Sequence, residues 1–320
     1  MTHVNISDFE VGKNYTGVYI CKTHASKVSK NNKQYIDMQI IDKTGEINGK
    51  CWDIPIGFNP DEIQDGYFIA LIMTIEEYNG KPQAKITNLR HIRPEDNFDK
   101  SEIIPIAPEP ADTMFDELIQ TANGMINADL KKLCLTILNE NKEELLVCPG
   151  AKTMHHAVVS GLLQHLTGML RLGKTMVDLY PSVNKDLLLA GIMLHDICKL
   201  REFSLGPVGI CTDYSKEGKL IGHITMGASY IESKSKELGI DDEVRLLMMH
   251  MLLSHHGEPD FGSAVRPMFI EAILLNVIDN IDAKVYMCEE ALRNVDDNSF
   301  SEKVFGLDNI QLYKHTLNKK

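Results

Sequence analysis

Twelve histidines occur in the chain, and their placement says more than their number. His165 lies in the amphipathic stretch "VVSGLLQHLTGMLRLGK". Thirty residues later the apolar run "LAGIMLHDICKL" carries the adjacent pair His195 and Asp196, with Lys199 three residues further on. His223 stands in "LIGHITM", His255 and His256 in "LLSHHGEPDFG", and Asp279 and Asp282 in "EAILLNVIDNIDAK". Burying imidazoles and carboxylates one by one costs several kcal/mol for each group left unpaired. Around divalent metal ions both become ligands and most of that cost disappears. The set therefore points to a metal centre, whose cation neutralises His195 and Asp196 at the end of a buried helix. His155 and His156, ten and nine residues before His165, are read as substrate contacts beside it.

Helices must carry most of these residues. "MFDELIQTANGMI", "LKKLCLTILNENKEELL" and "KDLLLAGIMLHDICKL" repeat apolar positions at three- and four-residue intervals. Further helices are expected near 223–238, 241–255 and 267–293. Residues 10–95 read instead as about five strands: β-branched and aromatic runs, alternating apolar positions at Tyr35, Met38 and Ile40, the turn "DKTGE", and the hairpin signal Asn79-Gly80. They predict a small β-barrel. Residues 94–112, with four prolines and six acids, read as a linker. The expected organisation is a barrel domain over 1–95, a linker over 96–112 and an all-α domain over 113–320 that ends in a tail.

The order of strands, basic loop, D-x-T-G and W-D resembles an OB-fold of the nucleic-acid-binding kind. Such barrels stack bases on aromatic rings in a basic groove. Residues 22–50 hold six lysines against three acids. Tyr19, Tyr35 and Trp52 are the stacking candidates, with Lys33 beside them. The order H…HD…H…HH…D resembles the HD-domain superfamily of metal-dependent phosphohydrolases. That resemblance implies His165, His195, Asp196 and Asp279 as core ligands, His223 and His255 as the added ligands of binuclear members, and Asp196 as the bridge. His256 is left as ligand or substrate contact. Lys199 matches the HD-x-x-K lysine that meets phosphate or water. Together with "KVFGLDN" near the end, the motifs are similar to the YhaM-type 3′→5′ exoribonucleases along almost the whole chain. The resemblance implies manganese-dependent trimming of single-stranded RNA, with some action on DNA. Cys198 replaces the glycine usual in HD-x-G-K, and Phe261 stands where tryptophan is expected; neither removes a ligand.

Charge frames the chemistry. The formal net charge is −12. Residues 1–95 are nearly neutral, with 11 Lys and Arg against 12 Asp and Glu, so the acidity belongs to the helical part. Two divalent cations would let that part accept a polyanion. Asp196 is expected to hold the reacting water between them and Lys199 to stabilise developing charge, with the barrel gripping the strand upstream. Mixed imidazole and carboxylate ligands also suit Co²⁺, Fe²⁺, Mg²⁺ or Zn²⁺. Seven cysteines without C-x-x-C argue for reduced thiols. No signal-like stretch or membrane-length apolar run occurs, so a cytoplasmic protein without membrane contact is expected, as a monomer or a homo-oligomer. Two other readings stay open: a phosphohydrolase of nucleotides or cyclic dinucleotides, and a non-catalytic single-strand-binding protein.

Overall fold

A computed structural model describes residues 3–317; the outer ends of the two expected domains, 1–2 and 318–320, lie outside that range. Its contacts divide the chain into two compact units. One takes in the chain up to Ile106 together with Ser204–Asp213. The other comprises Ala107–Phe203 and the chain from Tyr214 onward.

The first unit is a closed five-stranded barrel. Its strands are β1 (Asn14–Val28), β2 (Gln34–Asp42), β3 (Gly45–Cys51), β4 (Tyr67–Tyr78) and β5 (Lys81–His91). They follow the order β1-β2-β3-β5-β4, and β4 closes on β1. Pairing is antiparallel except between β3 and β5, where Gly49 and Lys50 face Ala84 and Lys85. The D-x-T-G turn has a plain cause. Asp42 Oδ1 accepts hydrogen bonds from the Thr44 amide at 2.7 Å and its hydroxyl at 2.6 Å. Asp42 Oδ2 takes the Ile6 amide at 2.8 Å, which fastens the N-terminal segment over the turn. Asn79 and Gly80, at φ 52° and 74°, make the β4–β5 hairpin turn. In β2 the inward residues are Ile36, Met38 and Ile40. Tyr35 is therefore on the other face, one residue out of the register expected for it.

The expected linker is ordered. Arg90 grips Asp96 with two hydrogen bonds of 2.6 and 2.7 Å, and Ile103 is fully buried.

The second unit contains α1 (Ala111–Asn123), α2 (Ala128–Glu140), α3 (Lys142–Leu145), α4 (Gly161–Leu179), α5 (Lys185–Leu194), α6 (Lys199–Glu202), α7 (Lys216–Leu220), α8 (His223–Leu238), α9 (Asp242–Ser254) and α10 (Ile270–Leu292). The last three match the expected helices closely. Helix α5 is apolar all round, and every residue from Leu187 to Leu194 is buried. Such a helix belongs at the middle of a bundle, and α5 packs against α2, α4, α9 and α10. Asn184 caps its start by accepting the Leu187 amide at 3.0 Å.

Two small hairpins interrupt the helices, so the unit is not purely helical. One pairs β6 (Phe203–Leu205) with β7 (Cys211–Tyr214); the other pairs β8 (Ser299–Val304) with β9 (Ile310–Lys314) in place of the expected tail. Residues 204–213 of the first hairpin cluster with the barrel, which the proposed boundaries did not foresee. Within that unit Gly66, at φ 69°, backs onto Gly206. A Cβ on Gly66 would lie 2.8 Å from the Gly206 Cα, so glycine is needed for the close approach. No helix among the described residues is long and apolar enough to cross a membrane.

Candidate metal centre

Five segments of the second unit deliver the ionisable residues to one place. Helix α4 presents His165 from its second turn. His195 and Asp196 come directly after α5, and His223 opens α8. His255 and His256 follow α9. Asp279 and Asp282 stand about one turn apart on α10.

Each of the five histidines has Nδ1 tied to an acceptor. His195 Nδ1 donates to the Ile192 carbonyl at 2.9 Å, and His255 Nδ1 to the Leu252 carbonyl at 2.7 Å. Both use carbonyls that the end of a helix leaves over. His256 Nδ1 donates to the Phe261 carbonyl at 2.8 Å. His223 Nδ1 lies 3.0 Å from Glu202, and His165 Nδ1 lies 2.7 Å from Asp282. A carbonyl can only accept, so His195, His255 and His256 carry their proton on Nδ1 and turn a bare Nε2 toward the centre, and the carboxylates aim Nε2 of His223 and His165 the same way.

The inward atoms have no partner. Nε2 of His165, His195, His223 and His255, together with Asp196 Oδ1, are buried without any hydrogen bond. Native proteins rarely leave such atoms unpaired, and five converging lone pairs fit a divalent cation. Asp196 sits between two groups. Its Oδ2 is 3.3 Å from His195 Nε2 and 3.9 Å from His165 Nε2. Its Oδ1 is 3.3 Å from His223 Nε2 and 3.7 Å from His255 Nε2. Asp279 Oδ1 lies 3.3 Å from His165 Nε2. Ligands at bond lengths of about 2.0–2.2 Å stand roughly this far apart around one ion.

Buried Lys199 complements the carboxylate. Its ammonium is 2.6 Å from Asp196 Oδ2 and donates to the Gly150 carbonyl at 2.8 Å. Burial opposes ionisation of Asp196, yet Lys199 and His195 hold its carboxyl well below the usual range. For His165, burial opposes the charge, but the facing carboxylates of Asp279 and Asp282 carry the pKa up to about 9. Burial pushes His255 and His256 down, and His155 down to about 3. A cavity of about 500 Å³ opens over the cluster, lined among others by Lys152, Met154, His155, Lys199 and Lys284.

A family model for the HD domain matches residues 162–284. The 3'-5' exoribonuclease YhaM of Listeria welshimeri is 39% identical over 311 residues, which cover 97% of each chain. The protein of that name from Bacillus subtilis is 34% identical over 314 residues, covering 97% of this chain and 98% of the relative. The chain belongs to the YhaM family. Among solved structures, the second OB-fold domain of replication protein A from Methanococcus maripaludis is similar over 30% of this chain and 98% of that one, at 17% identity and a TM-score of 0.24.

For this YhaM-family member the structure gathers His165, His195, Asp196, His223, His255, His256 and Asp279, with Lys199 against Asp196 and His155 on the cavity wall. His156 is buried and reaches Asp282 at 2.8 Å instead of facing the cavity, which corrects its reading as a substrate contact. The sequence pattern gave Glu202 no role, because its partner His223 is 21 residues away and only the fold joins them. Asp282 stood in view three residues after Asp279, but its partners, like those of Glu202, were not legible.

On the barrel, Tyr35 and Trp52 stack with ring centroids 4.4 Å apart. The Lys50 ammonium lies 5.6 Å from the Trp52 ring, which is 38% exposed. Lys33 pairs with Asp53 on the surface. Tyr19 is corrected: it is wholly buried in the barrel core and donates to the Val4 carbonyl at 3.0 Å, so its ring has no face for a base. Cys21, His24 and Asp65 also form a metal-sized cluster. His24 and Asp65 satisfy each other there at 2.7 Å, and Cys21 belongs to the core.

Proposed function

We propose that this protein is a divalent-metal-dependent exonuclease that trims single-stranded RNA, and to a lesser extent single-stranded DNA, from the 3′ end. The observation that carries the reading is the convergence of four histidine nitrogens and Asp196 Oδ1, all without a hydrogen-bond partner, beneath an open cavity. Full-length similarity to relatives named as 3'-5' exoribonucleases supports the substrate and the direction.

His165, His195 and Asp279 would hold one ion; His223, His255 and His256 would hold a second; Asp196, with one oxygen toward each group, would bridge them. Bound there, divalent ions supply Lewis acidity toward a phosphate oxygen and make water acidic enough to attack at neutral pH. The chain's own groups do the rest. Lys199 uses two of its three donors on Asp196 and Gly150, which orients the carboxylate, and its charge opposes the negative charge that builds at phosphorus. Neutral His155 can hydrogen-bond substrate without adding charge. Lys152 and Lys284, on the cavity wall, offset the acidity of the unit for an incoming phosphate. The mixed imidazole and carboxylate set suits Mn²⁺, Fe²⁺, Co²⁺ or Zn²⁺ alike, and manganese is taken from the family resemblance. Tyr35, Trp52 and Lys50 on the barrel are the residues for stacking bases and meeting the backbone. An odd number of cysteines supports a reducing compartment, the cytoplasm.

The test uses the full chain and a 5′-labelled RNA oligomer with Mn²⁺, with EDTA, and with Asp196→Ala plus Mn²⁺. A ladder of shortening labelled products confined to wild type with metal is the expected result. RNA that binds but never shortens overturns the reading. So does turnover of a cyclic dinucleotide with RNA left intact.

A further inference from the structure

His165 differs from the other inward histidines in one respect. Three of them donate Nδ1–H to a nearby backbone carbonyl close in sequence, and His223 uses Glu202. His165 lies inside α4, where the carbonyls around it are taken by the helix itself, and its acceptor is Asp282, 117 residues away. We propose that Asp282 and His156 form a positioning pair that fixes the His165 ring with its Nε2 lone pair on the metal, and so sets the metal affinity of the site. The proposal rests on the metal-centre reading above.

The surroundings are built for this contact. The same oxygen, Asp282 Oδ2, takes His165 at 2.7 Å and His156 Nε2 at 2.8 Å. Gly168 stands one turn after His165, and a Cβ there would overlap Asp282 Oδ1. His156 is held in an unfavourable state to make its bond. Its φ is 55°, a region most side chains avoid, and its Nδ1 is buried without a partner. Its carbonyl accepts the Gly150 amide at 2.8 Å, and it occupies the space that a side chain at Gly161 would need. The Tyr286 ring packs over it at 4.0 Å. Strain and an unpaired nitrogen persist only where something over-determines them. The loop that makes His156 strained also carries the Gly150 carbonyl that receives Lys199. One loop thus braces both a metal ligand and the lysine beside Asp196.

The test is Mn²⁺ binding to the metal-free full chain at neutral pH, read from the electron paramagnetic resonance signal of the free ion. Asp282→Ala should weaken binding about 10- to 100-fold, the range for losing the partner of a metal-bound histidine. Asp282→Asn keeps an oxygen acceptor and should recover most of the loss. Gly168→Ala gives an independent arm. Alanine favours a helix interior over glycine, so this variant should keep the metal-free melting temperature and still bind Mn²⁺ more weakly, because Asp282 is displaced. Mn²⁺ affinity within twofold of wild type in both Asp282→Ala and Gly168→Ala overturns the proposal and leaves the metal centre standing. A wild-type chain that binds no Mn²⁺ overturns both.

Discussion

Asp196 is the residue on which the site turns, since Lys199, His195 and His223 each lie within 3.3 Å of one of its oxygens. Asp196→Asn keeps the size and removes the charge. It should lower RNA hydrolysis by at least about 10²-fold, as loss of a mere partner to a metal ligand already reaches that range; the check is initial rates at saturating Mn²⁺. A second expectation concerns protons. The metal-free protein holds His165 charged up to about pH 9, and a cation needs the neutral ring. Binding at pH 7 must therefore expel a proton, and the apparent affinity should fall as pH falls below 9, by up to about tenfold per unit for one proton. Calorimetry in buffers of different ionisation enthalpy measures that release directly. At this scale the sequence was informative for a physical reason. Few residue types ligate metals, and an apolar helix that ends in His-Asp is hard to explain otherwise. The partners that orient the ligands escaped because carboxylates such as Glu202 are common, and their pairing is set by the fold alone.

Helices and strands decide how firmly those residues are held. Helix α5 delivers His195 and Asp196 and is buried on every side. Leu188→Ala, at a fully buried position, should cost about 2–5 kcal/mol by denaturant unfolding. Its effect on hydrolysis should follow the loss of folded protein. On the barrel, Trp52→Ala should weaken binding of an RNA oligomer by about 1–3 kcal/mol and leave hydrolysis of a small phosphodiester unchanged. Equal loss of both would remove the barrel's proposed role. Turn chemistry made the barrel legible: Asn79-Gly80 and the Asp42 turn mark strand ends. Strand facing was harder to read. Aromatic residues suit both faces of a strand: of the stacking candidates, Tyr19 was expected outside and is inside, whereas Tyr35 lies outside the core against Trp52.

At the scale of the molecule, metal and stability are linked. The inward nitrogens gain a partner only when a cation binds, so the metal-loaded fold is favoured by mass action. At free metal 100 times the dissociation constant the gain is about 2.7 kcal/mol. EDTA should then lower the melting temperature of the helical unit by about 5–10 °C, read by calorimetry. The order of barrel and helical parts was legible from the change of period along the chain. The hairpin at 204–213 was not, because nothing local marks a segment that clusters with strands made far earlier. That feature bears on birth as well as on shape. When Ile106 leaves the ribosome the first unit is still short of residues 204–213. At 5–20 residues per second the missing piece arrives roughly 5–20 s later. During synthesis the Gly66 surface waits for a partner the ribosome has yet to make. A stop codon before residue 204 would release a barrel that is closed but whose Gly66 surface lacks its cover.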